Sequence, residues 1–185
     1  MRKEIADEIK AYINANIWWK DTLGGLAFIV DSDGMKYPIE KLTPVDCQTD
    51  PQDLAPNSKK KSIMYFEDKG TTVEKGTSNW DFFSTNLTLI GWVNYNLINK
   101  TKYNIEDYML EVMDVIPNHI STTNAKGCTI YVTGTRINNV FENYTYDIDK
   151  QYFMYPYGAF AIDFLITYRV MKGCKIPVVS NPTPC

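Results

Sequence analysis

From Phe160 to Val170 every second residue is large and apolar: Phe160, Ile162, Phe164, Ile166, Tyr168 and Val170 alternate with Ala161, Asp163, Leu165, Thr167 and Arg169. A repeat of two belongs to an extended strand, whose successive side chains point to opposite faces; a helix repeats every ~3.6 residues and would scatter these groups around its axis. Residues 159–170 therefore predict a strand of roughly 40 Å with one face packed on a core. The rest of the chain has to supply the layer that covers that face.

Two segments have the period to do so. Ile5, Ile9, Tyr12, Ile13 and Ile17 recur at helical spacing, with Lys3, Glu4, Asp7, Glu8 and Lys10 between them, so residues 3–17 predict an amphipathic helix. A second is predicted over residues 105–116, where Ile105, Tyr108, Met109, Val112, Met113 and Ile116 follow an Asn104 N-cap, and Pro117 stops the run. Further strands are expected at 26–30 and 35–40, as a hairpin turning at Asp31-Ser32-Asp33-Gly34, and at 62–67, 84–97 and 127–137. Gly24-Gly25 read as the end of a connection, and a short second strand is expected between Gly70 and Gly76. Within 127–137, Ile130 and Val132 alternate against Thr129, Tyr131 and Thr133. The fold class expected is α+β, an antiparallel or mixed sheet packed by two helices, as a single domain over residues 1–171. An extended Pro-rich tail, 172–185, follows it with Pro177, Pro182 and Pro184.

Two stretches do not fit this plan. Residues 41–61 hold Pro44, Pro51, Pro56 and the basic run Lys59-Lys60-Lys61 without an apolar period, and read as a loop. Residues 138–157 form a Tyr-rich excursion with Phe141, Tyr144, Tyr146, Tyr152, Phe153, Tyr155 and Tyr157. Such a loop exposes a large apolar patch unless it folds back or is covered by a partner. The chain has thirteen Tyr and four Trp, residue types that interfaces favour for their apolar body and polar tip.

Chemistry is sparsely signalled. The sequence has no G-x-G-x-x-G and no P-loop pattern, and its one histidine, His119, excludes H-E-x-x-H zinc chemistry. Asp31-Ser32-Asp33-Gly34 starts like a calcium loop, but Met35 replaces an oxygen ligand and Leu42 stands where the bidentate Glu belongs. No cofactor or metal is expected. Cys47, Cys128, Cys174 and Cys185 are far apart and read as free thiols. A net charge of −3 and a pI near 5.2 give no global attraction to nucleic acid, so no sequence-specific nucleic-acid binding is expected. No apolar run reaches the ~18 residues of a membrane span. Asp163 interrupts the less apolar face of its strand and is expected to be solvated or to pair with Arg169 or a neighbouring strand.

The order helix, hairpin, long loop, sheet, helix, strands, together with Tyr155-Pro156-Tyr157-Gly158-Ala159-Phe160-Ala161-Ile162-Asp163-Phe164, resembles the tail terminator (tail completion) and related neck proteins of tailed bacteriophages. The resemblance implies a non-enzymatic virion subunit assembled in the host cytoplasm. Its partners would be itself, in a ring of six or more copies, and adjacent neck and tail proteins. The chain departs from small members of that family in its 41–61 loop, its 138–157 excursion and its tail. Interface residues expected on this reading are Lys59, Lys60, Lys61, Phe141, Tyr144, Tyr146, Tyr152 and Phe153, with Asp163 and Arg169 pairing across subunits. Deleting 139–154 should then abolish assembly and leave the secondary structure intact. Two rival classes stay open: a monomeric carbohydrate- or protein-binding module using exposed Tyr and Trp as a platform, and a small hydrolase acting through an Asp/Glu pair in a pocket.

Overall fold

A computed structural model describes residues 1–32, 34–40, 52–98, 104–141 and 154–172. In chain order the elements are α1 (Arg2–Asn16), β1 (Thr22–Leu26), β2 (Phe28–Ser32), β3 (Met35–Glu40), β4 (Gln52–Asp53), β5 (Ser62–Glu74) and β6 (Trp80–Asn94). They continue as α2 (Tyr95–Ile98), α3 (Ile105–Val115), β7 (His119–Ile120), β8 (Lys126–Arg136) and β9 (Tyr157–Met171). The fold is mixed α+β, mostly strands. A six-stranded sheet runs β1-β5-β6-β9-β8-β7, parallel between β1 and β5 and antiparallel elsewhere, and a three-stranded sheet runs β2-β3-β4.

β9 lies in the middle of the large sheet, paired along its whole length with β6. Its even-numbered residues Phe160, Ile162, Phe164 and Ile166 are fully buried with Met64, Phe66, Leu87 and Leu89 from the same face. Ile5, Ile9 and Ile13 of α1 and Tyr108 and Val112 of α3 complete that core. Each such side chain contributes about 1.5–3 kcal/mol through removal from water. Large and small residues interlock across the strands. Phe160 sits opposite Gly91, where any Cβ would overlap its ring, and Ala159 sits opposite Trp92. The other face of the sheet has a smaller core at one end: Leu54, Ile63, Tyr65, Ile90, Trp92, Val140, Phe141, Ala159 and Ala161.

α3 starts on a capping box. The Asn104 side chain accepts from the Asp107 N–H and the Asp107 carboxylate accepts from the Asn104 N–H, both at 3.0 Å. These two bonds satisfy donors that a helix start leaves without partners. α1 has no side-chain cap, but Arg2 in its first turn pairs with Asp68 of β5 and ties the helix to the sheet.

Several expectations are corrected. The apolar run Leu26–Val30 is not one strand: Ala27 donates to the Phe66 carbonyl at 2.8 Å, and the chain passes there from β1 of the large sheet to β2 of the small one. Gly24-Gly25 lie inside β1, because Leu54 packs on Gly24 and the Asp7 and Glu40 carboxylates approach Gly25. β5 does not end at residue 67; it continues to Glu74 across a bulge at Asp68/Gly70, with Gly70 at φ 113°, where L side chains are strained. Tyr95 turns out of the strand into α2. Val132 is exposed, and β7 pairs β8 only at Cys128 and Thr129. The 41–61 stretch is not one structureless loop, since β4 pairs with β3 and Leu54 is fully buried. Residues 41–51, 142–153, with Tyr144, Tyr146, Tyr152 and Phe153, and the 173–185 part of the tail lie outside the described residues.

Candidate interaction surface

Four connections meet where β5 starts, β6 ends and β9 starts. The Asn94 N–H donates to the Lys61 carbonyl and the Tyr95 N–H to the Pro156 carbonyl, both at 2.9 Å. Asp21, following α1, accepts the Lys61 N–H at 2.8 Å. This backbone network fixes an aromatic end of the sheet. The Tyr155 ring stacks on Tyr95 at 6.4 Å between centroids, and Tyr157 stacks on Trp92 at 5.3 Å. The Trp18-Trp19 pair divides: Trp19 is fully buried, donating to Glu111 at 2.6 Å, whereas Trp18 is 59% exposed. Met154 is 67%, Tyr155 85% and, in α2, Leu97 46% exposed. Large apolar groups in such numbers at one end are the usual mark of a covered surface.

The basic run lies at the same end, with its three members in different roles. Lys60 is turned inward: its ammonium donates to the Asp53 carbonyl at 2.6 Å and the Ala55 carbonyl at 3.2 Å, clamping the chain after β4. Burial lowers the Lys60 pKa against the opposing pull of Asp53 and Asp21. Lys61 places its ammonium 6.0 Å from the Trp18 ring centroid, a cation over an aromatic face. The Lys59 side chain is exposed.

Beside the stacked tyrosines lies a groove of about 550 Å³ lined by Tyr95, Ile105, Ile137, Asn138, Asn139, Phe141, Tyr157, Gly158 and Ala159. Every lining side chain is uncharged. Burial, then Tyr108 and Glu106, push the Tyr95 pKa up to about 12, so its hydroxyl stays protonated at neutral pH. Asn139 adopts φ 52°, a left-handed conformation that Asn tolerates better than most residues, where the chain leaves β8 for the core residues Val140 and Phe141.

No protein-family model matches the chain, and no curated protein matches it.

Asp163 and Arg169 sit away from this end, on the sheet face opposite the helices. Asp163 accepts from the Thr88 hydroxyl at 2.6 Å and pairs with Arg136 of β8 at 3.4 Å, not with Arg169. It belongs to a polar row across the sheet with Glu67, which pairs with Lys69 at 2.6 Å. The Arg169 guanidinium lies over the Trp80 ring at 4.8 Å. Both residues thus have partners within the chain. Phe141, expected at an interface, is buried in the second core.

The residues bearing other chemistry are scattered. Nδ1 of His119 is 3.3 Å from the Thr129 hydroxyl in an exposed hairpin. Burial raises the Cys128 thiol pKa. Asp7 and Glu40 converge beside Gly25, where Lys10 pairs with Glu40 at 3.4 Å. Among the described residues no three His, Cys, Asp or Glu side chains gather as a metal site, and no helix is long and apolar enough to cross a membrane. Trp18, Tyr95, Leu97 and the two asparagines of the groove were not foreseen as surface residues. The Trp18-Trp19 doublet, in the turn just past α1, was the available signal: of the two rings only Trp19 reaches the core.

Proposed function

We propose that the chain is a structural virion subunit, similar to phage tail terminators, that forms a ring at the head-tail neck and joins or caps the tail. The observation that carries this reading is the aromatic end, where Trp18, Leu97, Met154 and Tyr155 stand exposed on a paired and capped scaffold. A ring subunit uses a rigid sheet to present different surfaces to its neighbours, and exposed aromatics covered by a neighbour favour association by leaving water. In this reading α1 and α3 form the amphipathic layer that stiffens one face. The aromatic end meets the adjacent copy or the next ring, and Lys59 supplies a charged rim.

Deleting 139–154 does not test assembly cleanly, because it removes Val140 and Phe141 from the second core. Trp18→Ser with Tyr155→Ser alters exposed side chains only. Light scattering should give a defined multiple of the 21.3 kDa chain for the unaltered protein and a mass shifted toward one chain for the double variant. Equal masses for the two proteins would refute the role of this end.

A further inference from the structure

The groove lies where β9 begins and the Pro-rich segment follows in sequence where β9 ends, and the length of β9 constrains what the segment can bind. β9 begins at the groove, with Tyr157, Gly158 and Ala159 in its wall, and runs the full length of the sheet. At the far end Lys172 is fixed: its N–H donates to the Asn79 carbonyl at 2.9 Å and its ammonium to the Thr77 carbonyl at 2.6 Å. From Lys172 back to Gly158 along the strand is about 46 Å at ~3.3 Å per residue. Pro184 lies twelve residues beyond Lys172. That length spans about 37 Å as polyproline II and at most ~43 Å fully extended, before any turn back toward the groove. As polyproline II the segment falls short of the groove of its own chain, and full extension would leave no length for the turn back.

We propose that the groove receives the Pro177–Pro184 segment of a second copy, joining the aromatic end of one subunit to the C-terminal side of the next. The chemistry of the two parts matches. Proline-rich chains offer rings that pack on aromatic faces and carbonyls that have no partner within the segment, and they are read by grooves lined with aromatic and neutral hydrogen-bonding side chains. Here Tyr95, Tyr157 and Ile137 supply the walls, and Asn138 and Asn139 bring amide donors. The segment Ile176-Pro177-Val178-Val179-Ser180-Asn181-Pro182-Thr183-Pro184 is itself uncharged, so no charge has to be buried in the uncharged groove. The contact is heterologous, one end to the other, and so it can be repeated from copy to copy. It rests on the proposal above only in taking the aromatic end as a self-contact.

The test uses a fluorescent peptide of residues 174–184 carrying Cys174→Ser. Its host is the full chain with Pro177→Ala, Pro182→Ala and Pro184→Ala, so that the attached segment does not compete. Anisotropy should show saturable binding below ~1 mM, a free energy of at least about 4 kcal/mol. Binding should weaken at least ~10-fold when the host also carries Ile137→Glu, which puts a charge into the groove. Ile137 is 37% exposed, and its replacement leaves both cores intact. A peptide with its three prolines changed to Ala should not saturate. Absence of saturation by the native peptide, equal binding of the Ala peptide, or indifference to Ile137→Glu would each overturn the proposal. Peptide binding by this host, with the unaltered chain forming no ring, would sustain this inference and sink the ring reading; rings of the unaltered chain without peptide binding would do the reverse.

Discussion

At the scale of single residues, the two carboxylates beside Gly25 show how packing sets a titration. Burial raises the Asp7 pKa above its ordinary 3.8, Glu40 adds to the rise, and Lys3 and Lys10 oppose it. The folded chain therefore holds the Asp7 proton to higher pH than the unfolded chain does. Stability linked to this group falls as pH climbs from 3.8 toward the raised value, and the loss is complete at neutral pH. Asp7→Asn removes that penalty. Urea unfolding across the acidic range should show the variant gaining on the parent as pH rises from 4 to 7, and a constant difference would refute the account. Asp163 shows a different kind of residue-scale contact: its partners Thr88 and Arg136 come from strands on either side of its own.

Among the elements, α3 depends most on a short sequence signal. Its capping box satisfies helix-start donors, so Asn104→Ala should cost about 1 kcal/mol, measured as a lower urea midpoint with unchanged slope. The cap and the period of β9 were legible because both are local: residue type and spacing alone specify them. What could not be read was where the chain changes partners. The Leu26–Val30 run has the composition of one strand, and only the bond from Ala27 to Phe66 divides it between two sheets. Leu54 looks like an isolated apolar residue among prolines, yet the small residue Gly24 opposite makes room for it in the core. Lys60 reads as a solvated cation until the carbonyls of Asp53 and Ala55 are brought around it. In each case the deciding neighbour is distant in sequence or lies on the turn of the backbone.

For the whole molecule, the two ends of the sheet differ in kind. One gathers Trp18, Leu97, Met154, Tyr155 and an uncharged groove; the other carries the exposed β5–β6 turn with the aliphatic side chains of Val73 and Met171 exposed beside it, and delivers the chain toward its prolines. A body with unlike ends suits assembly by repeated head-to-tail contact. The candidate surface was legible in part: the excess of Tyr and Trp suggested aromatics placed at the surface, and Tyr155 stands exposed at the candidate end, while Phe141 went to the core and Asp163 and Arg169 found partners inside the chain. Hydroxyl-radical footprinting of the full chain at high protein concentration and after dilution tests the central claim most directly. Trp18, Met154 and Tyr155 should be protected in the concentrated sample and become reactive on dilution, with Tyr131, exposed on the polar face of the sheet, reacting alike in both. Equal reactivity of Trp18, Met154 and Tyr155 at the two concentrations would contradict the assignment of this end as a self-contact.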